Sequence, residues 1–578
     1  MEYPYFKAIS HVETKIKFAL QKLSLPNEVK LEIPPQNLSD FAFPCFSLCK
    51  ISKCSPKETA EKIASEINED KIIDSISSDN GYINITLNSL NLINETLSLI
   101  HTKKDKYGFL PKKNQQIIIE HTSANPNGPL HVGRARNPII GDTLTRIYKA
   151  SGYECTSQFY LDDLGKQVAI LTWGLNNISK EDINKEKNIK PDHQAVTYYQ
   201  KANELMNKDK QIQKDIGQLV KQSEHGNNEI IEKIKQAYNP VLEGINESLS
   251  TININIDSYI PESTFVKDKS VEMVISKLKK SEFCFEENGA FYLDLESFGI
   301  KGRNTKFFIT RGDGTSLYAT RDIAYHVWKS NQADQLINVL GEDHKLEAKQ
   351  VEICLKLLGH DHIPHPVFYA FVSLPGGKMS TRNARLVYLD EIIDDSIKRA
   401  YDEVKKRRKD ELTEKQMQHI SKIIGIGAIR YNIIKVQPEK DIVFKWEEAL
   451  NFEGNAAPFI QYSHARAAGI LTKNLKQNIL ENINQISKLT HNSEINLCKK
   501  LSMFPKIIQD AAEGFKPHLI ASYLFETASL FNQFYRDCPV LSEKDKKTQN
   551  ERLILVSAFK IVIHNGLELL GIDAPDEM

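Results

Sequence analysis

The chain has 578 residues, 41% hydrophobic and 26% charged, with 75 Lys plus Arg against 75 Asp plus Glu. This length predicts three or four domains with several cores, and the balanced charge excludes a general electrostatic pull on nucleic acid, so such a partner needs a local basic surface. No run of about 18 apolar residues exists and MEYPYFKAISHVETK lacks the apolar core of a secretory signal, so no membrane partner is expected and the cytosol is the expected compartment.

In chain order, residues 1–112 read as a small α+β module. HVETKIKFALQKL has helical spacing and YINITLN alternates as a strand. SPKETAEKIASEI opens with a capping signature, Ser55 followed by Pro56 and Glu58. Cys45, Cys49 and Cys54 form no CxxC pair, so reduced thiols are expected and no zinc or other metal held by the protein. KKDKYGFLPKKNQ reads as a linker. From 113 the pattern becomes strand (IIIEH), Gly/Pro turn, helix (through IIGDTLTRIYKA, stopping at Ser151 and Gly152) and strand (SQFYL). That is the start of a βαβ unit and of a Rossmann-like parallel-sheet domain, expected over 113–395. QLINVLG and PVFYAFVSL add strands, and KLEAKQVEICLKLLGH adds an amphipathic helix. Polar segments rich in Lys, Asn and Ile interrupt this domain with a helical insertion at about 172–300, read as solvated helices, with a coiled-coil-like arm as the alternative. Residues 396–450 read as a helical connector and 451–578 as an all-α domain.

Two stretches concentrate chemistry. In SANPNGPLHVGRARNPIIGD (123–142), a strand, a glycine-bearing turn and a helix start make an anion site, because unpaired N–H groups point one way. The turn is neither a P-loop nor GxGxxG. His131 can donate to phosphate, and Gly133 lets a base or ribose approach the backbone. The residues alone leave two readings open, nucleotide binding and a tight strand–helix turn with a capping His. Pro138 removes a donor, so the helix either starts at an Asn137 cap with Pro138 first, or is kinked there. The second stretch, LPGGKMSTRNARLVYLDE (374–391), places Gly376 and Gly377 beside Lys378, Ser380, Thr381, Arg382 and Arg385. It reads as a loop gripping polyphosphate, or as an exposed basic loop.

Taken together, HVGR (131–134) and KMSTR (378–382) resemble the His-x-Gly-His turn and Lys-Met-Ser-Lys-Ser loop of class I aminoacyl-tRNA synthetases, in that family's order. EHTSANPNGPLHVGRARNPIIGD (120–142), FYLDDLGKQ (159–167), SLYATRDIAY (316–325), QYSHARAAGIL (461–471) and GLELLGIDAPDEM (566–578) resemble the arginyl-tRNA synthetases in particular. The fold implied is multidomain α/β, with an N-terminal module on the tRNA elbow and a C-terminal all-α anticodon-binding domain.

The reaction implied is activation of L-arginine by ATP, carried with Mg²⁺, to arginyl-adenylate and pyrophosphate. Arginine then passes to the 3′ end of its cognate tRNA, with release of AMP. The resemblance gives catalytic roles to His131, Gly133, Arg134, Lys378 and Ser380. It lays ATP along Ser123, Ala124, Asn125, Pro126, Asn127, Gly128, Pro129, Leu130, His131, Val132 and Gly133, with Lys378, Met379 and Ser380 closing on it. It assigns arginine to Glu120, Asn125, Tyr318, Asp322 and His344. A guanidinium has five donors and needs acceptors, and Tyr318 and Asp322 lie one helical turn apart. Without the resemblance, Asp322 reads as a surface ion pair with Arg321 or a Lys. Gln461, Tyr462, Tyr535 and Met578 would meet the anticodon, with bases stacked on aromatics; the alternative for both tyrosines is helix-core packing. A monomer is expected. Two departures stand out: Arg134 replaces the family's second His, and Thr381 its second Lys. Arg134 with Arg382 or Arg385 would supply the missing charge. The same departures support an alternative, a non-catalytic tRNA-binding paralogue.

Overall fold

Ile117, Ile118 and Ile119 are all buried, as a strand covered on both faces requires, and they form the middle of a five-stranded parallel sheet. Its strands, in chain order, are β1 (Gln116–Glu120), β2 (Glu154–Leu161), β3 (Ser258–Pro261), β4 (Gln335–Gly341) and β5 (His365–Tyr369). They lie in the order β5-β4-β1-β2-β3, every neighbouring pair parallel. The order reverses between β1 and β4, where the carboxyl ends of a doubly wound sheet open a ligand crevice. Glu120 is paired with Asn338 across that seam. The computed structural model describes residues 3–35, 38–183, 190–373, 387–473 and 485–578.

After β1 the chain turns into α1 (Arg136–Ala150). Its start matches neither expected alternative. Ala135 is the N-cap and Pro138 falls within the first turn, where a missing N–H is tolerated. Asn137 is occupied elsewhere: its side chain accepts from the Thr122 N–H (2.7 Å) and donates to the Val339 carbonyl (2.9 Å).

Between β2 and β3 run α2 (Lys166–Asn177), α3 (Pro191–Lys208), α4 (Lys210–Glu224) and α5 (Asn228–Thr251). Ile170, Ala202, Met206 and Ile216 form a small core of their own, while Ile234, Tyr238, Val241 and Ile245 join the main core. The polar text is thus the outer face of a packed layer and not an arm. The helical reading to about 300 needs correction. Cys284–Glu287 and Ala290–Asp294 form a hairpin, extended by Lys306–Phe308 into an antiparallel sheet. Asn288 and Gly289 turn it with φ of 52° and 79°, the conformation an Asn-Gly pair adopts most easily.

Next come α6 (Tyr318–Lys329) and α7 (Lys345–Leu357). PVFYAFVSL does not run as one strand: Val372–Ser373 leaves the main sheet and pairs with Ile442–Val443. The break falls at Ala370, whose carbonyl accepts from the fully buried Arg136 guanidinium at 2.7 Å.

The N-terminal module packs helices Pro4–Lys22 and Pro56–Ala64 on a three-stranded antiparallel sheet with its own core. Ser55 and Glu58 form the expected capping box. The expected linker is anchored rather than free. Tyr107 is fully buried and donates to the Leu501 carbonyl (3.1 Å), and the Asn565 amide donates to the carbonyls of Lys104 and Tyr107. The C-terminal part is helical: α8 (Leu389–Arg408), α9 (Glu414–Ile434), α10 (Ala457–Thr472), α11 (His518–Asp537) and α12 (Lys546–Leu569), with shorter helices between. Phe531 and Phe559 stack in its core at 3.8 Å. Among the described residues no helix is long and apolar enough to cross a membrane.

Candidate functional site

A cavity of about 280 Å³ opens where β1 and β4 diverge. Past Glu120 the backbone takes positive φ at two residues with side chains, Thr122 (72°) and Ser123 (36°). Strain of this kind persists only where surrounding bonds fix it. Besides the Asn137 bond to Thr122, the Ser123 hydroxyl donates to Glu120 (3.2 Å) and accepts from the Tyr160 N–H (3.2 Å). Asn125 and Asn127 both donate to the side-chain oxygen of Gln167, at 2.9 and 2.7 Å. Ala124, Pro126, Gly128, Pro129 and Leu130 are buried. A Cβ on Gly128 would come within 2.9 Å of Val196 on α3, so the turn lies close under the insertion.

At its far end the turn runs beside the start of α8. The Val132 N–H donates to the Val387 carbonyl (3.0 Å), and the Leu389 N–H to the Leu130 carbonyl (2.8 Å). His131 stacks on Tyr388 with ring centres 5.2 Å apart. Burial, then Arg134, holds its imidazole below the usual pKa and so favours the neutral form. Val132, Gly133 and Arg134 form a single 3-10 turn, with Gly133 buried and Arg134 exposed at the cavity mouth. Lys378, Met379, Ser380, Thr381, Arg382 and Arg385 lie outside the described residues.

Glu120 is buried, and Lys329, itself fully buried, reaches it at 2.5 Å. Burial alone would raise the Glu120 pKa, but Lys329 and His326 hold it below its ordinary value. Lys329 also donates to Asn338 (2.8 Å), and the Asn338 amide donates to His326 (2.7 Å). His326 lies 3.2 Å from the Asp322 carboxylate. One face of α6 therefore carries Tyr318, Asp322 and His326 along the cavity, with Lys329 fully buried behind them. Asp322 does not pair with Arg321, as the simple helix-surface reading expected. Arg321 is buried the other way, with Glu224 at 3.3 Å and Glu262 at 3.0 Å. The Tyr318 side chain is 41% exposed at the cavity, and desolvation there, then Asp322, pushes its hydroxyl above its usual pKa, so it remains a donor. His344 sits at the rim with its pKa raised by a 2.6 Å bond to Glu347.

Of the residues expected around arginine, Glu120, Tyr318, Asp322 and His344 line one cavity together with Ser123 and Arg134. Asn125 is tied to Gln167 instead. Lys329, His326, Asn338 and Gln167 escaped the sequence reading. The helical stripe continuing from Asp322 was available for the first two, and Gln167 closes the quoted stretch FYLDDLGKQ.

The distal residues fall into two pairs. Tyr462 and Tyr535 are 42% and 39% exposed, not packed in the core, and the Arg466 guanidinium lies 4.8 Å and 5.5 Å from their ring centres. Gln461 and Met578 are buried rather than presented at the surface. The Gln461 amide donates to the Asp573 carbonyl at 2.9 Å, and Met578 joins the core of Val404, Met417 and Ile424 while its carbonyl accepts from Arg408.

A parallel sheet with its cavity at the switch point, a His-x-Gly turn that reaches that cavity through Arg134 and a helical C-terminal domain define a class I aminoacyl-tRNA synthetase. Residues 96–446 match the family described as tRNA synthetases class I (R), catalytic domain. Residues 460–578 match the DALR anticodon binding domain, and residues 10–87 the arginyl tRNA synthetase N terminal domain. The chain is 43% identical over 533 residues to an arginine–tRNA ligase of Methanocella arvoryzae, covering 92% of each. It is 41% identical over 558 residues to one of Methanococcus maripaludis, covering 95% of this chain and 96% of that one. It is similar in fold to Thermus thermophilus arginyl-tRNA synthetase, with a TM-score of 0.83 at 26% identity, over 98% of this chain and 100% of that chain. The chain belongs to the arginine–tRNA ligases.

Proposed function

We propose that the switch-point cavity binds L-arginine and ATP side by side, forms arginyl-adenylate, and passes arginine to the 3′ end of its tRNA. The observation that carries this reading is the convergence of Glu120, Tyr318 and Asp322 on one cavity beside the 131–134 turn. Lys329 pairs with Glu120 there, while Asp322, beside His326, keeps its carboxylate for a guanidinium. Asp322 is its ion partner, Tyr318 its neighbour, and Glu120 and His344 orient its polar ends. Lysine and citrulline leave these acceptors unmatched, so selectivity needs no editing step.

ATP lies along residues 123–133, with His131 donating to phosphate, the Gly133 backbone against the nucleoside, and Arg134 facing developing charge. Mg²⁺ arrives with ATP, and Lys378, Met379 and Ser380 grip the β and γ phosphates. The arginine carboxylate attacks the α-phosphorus and expels pyrophosphate; the protein's share is orientation and charge stabilisation. The terminal ribose hydroxyl of tRNA then attacks the adenylate carbonyl and AMP leaves. Tyr462, Tyr535 and Arg466 meet anticodon bases, Gln461 and Met578 brace that surface from beneath, and the N-terminal module meets the elbow. The cytosol is the compartment this reading expects for the reaction.

The test is charging of a matched tRNA with radiolabelled arginine, together with arginine-dependent pyrophosphate exchange with and without that tRNA. Charging, with exchange only when tRNA is present, is expected. A folded protein that binds the tRNA without charging it would overturn the reading in favour of a non-catalytic paralogue.

A further inference from the structure

The His131 ring makes no hydrogen bond to protein among the described residues, and its Nδ1 is buried without a partner. The contact that holds its plane is the stack on Tyr388, with rings 5.2 Å apart and inclined by 21°. The two backbone bonds that bracket this stack fix both rings in register. Tyr388 is held in turn from the insertion. The His193 ring meets it edge-on at 5.1 Å and 73°. His193 Nε2 lies 2.8 Å from Asp390. Lys190 donates to Asp390 (2.9 Å) and to Ser248 (2.6 Å), and Ser248 donates to the other Asp390 oxygen (2.6 Å). Against the effect of burial, these three donors hold the Asp390 carboxyl down at about 2, so it is ionised at neutral pH. Asp192, fully buried, backs the cluster 3.5 Å from the Lys190 ammonium. A Cβ on Gly244 of α5 would come within 2.4 Å of the Asp192 carboxyl, so α5 seats directly on it. The ligand atoms of Asp192, His193 and Asp390 all lie within 4.8 Å of one another, and Lys190 supplies the positive charge such a group requires.

We propose that Tyr388 is a positioning residue for His131, and that Lys190, His193, Ser248 and Asp390 form a latch by which the helical insertion sets the orientation of that imidazole. This rests on the reading that His131 faces ATP. An unbonded imidazole on a turn would sample several rotamers, and each ATP encounter would have to select one. The stack removes that cost and leaves Nε2, the ring nitrogen that is not buried, for phosphate. The insertion thereby supports catalysis from outside the cavity.

The test is a double-mutant cycle on the full chain, read by arginine-dependent pyrophosphate exchange with saturating tRNA. Tyr388→Ala is expected to raise KM for ATP roughly fivefold, the order of one aromatic stack, with KM for arginine unchanged. Tyr388→Phe restores the parent value, and His193→Ala shifts KM for ATP the same way by a smaller factor. In a His131→Ala background Tyr388→Ala adds nothing further. Tyr388→Leu serves in place of the alanine variant if melting shows that the latter does not fold. Equal increases in both KM values, or full additivity with His131→Ala, would show a merely structural role and overturn the proposal. So would an unchanged KM for ATP in Tyr388→Ala while His131→Ala is impaired. If His131→Ala itself leaves KM for ATP unchanged, the ATP reading of the turn fails, and this inference with it.

Discussion

At Glu120 a carboxylate proposed to orient arginine's polar groups already has partners, because Lys329 occupies one oxygen and Ser123 the other. Truncating Lys329 would leave a buried charge with no partner, which is far costlier than losing a surface pair. Lys329→Met is therefore expected to lower stability by about 3 kcal/mol and to raise KM for arginine roughly tenfold, with KM for ATP nearly unchanged. Thermal melts and exchange kinetics check both, and equal KM values in variant and parent would remove Lys329 from the arginine site. A second residue-scale effect concerns pH. Burial holds the His121 imidazole at about 4, and its neighbour Gly141 leaves no room: a Cβ there would sit 2.3 Å from His121. Burial also holds His464 at about 4, against the opposing pull of its bond to the Pro575 carbonyl. Both folded values lie below the ordinary 6.5. Each His thus stabilises the fold fully above 6.5 and loses that contribution as pH falls through about 4. The loss amounts to about 3 kcal/mol per residue. Melting temperature should fall over that window, and His464→Gln should flatten part of the fall.

At the scale of elements, what the sequence made legible depended on whether the cause was local. Four strands of the main sheet were readable because burial on both faces demands apolar runs such as IIIE and LINVL, whereas β3, only half-buried, lay unseen inside the stretch read as helical. The Ser55–Glu58 cap and the α6 pair Tyr318 and Asp322 followed from spacing along one helix. The Asn288–Gly289 hairpin was equally local, yet the polar composition around it masked the signal. By contrast, Gln167 bound to Asn125, Lys329 to Glu120 and Lys190 to Asp390 join residues far apart in sequence, and no local pattern announces them. The break in PVFYAFVSL is of the same kind, since it comes from a guanidinium on α1. The hairpin gives its own prediction. Gly289 holds φ of 79°, and a Cβ there would approach the Gly312 carbonyl at 2.8 Å. Gly289→Ala should cost about 1 kcal/mol or more in a thermal melt. It should leave KM for arginine untouched, because the hairpin lines no part of the cavity; a raised KM would mean the two are coupled.

On the scale of the whole molecule, the helical C-terminal part and the 131–134 turn are tied together through Arg430. Arg430 on α9 is fully buried. It pairs with Asp142 of α1 at 2.5 Å and donates to the Leu570 carbonyl (2.6 Å) and the Ile252 carbonyl (2.7 Å). One guanidinium thus ties the helix after the 131–134 turn, α9, the end of α5 and the C-terminal segment. On the proposed reading, a tRNA held at the far surface is held relative to the cavity, and its 3′ end is positioned there. Tyr462 and Tyr535 are exposed, so removing their rings leaves the core intact. Stacking one base on one aromatic contributes about 1–3 kcal/mol. Tyr462→Ala with Tyr535→Ala should raise KM for tRNA at least tenfold, by that magnitude. Melting temperature should not move, and kcat at saturating tRNA should approach the parent value, because the cavity itself is unchanged. Exchange at low tRNA should fall in parallel with charging and recover as tRNA is added. An unchanged KM for tRNA in the double variant would remove these two rings from the tRNA surface. A lowered kcat that extra tRNA does not restore would mean that the tyrosines act on the cavity through the fold instead of through tRNA.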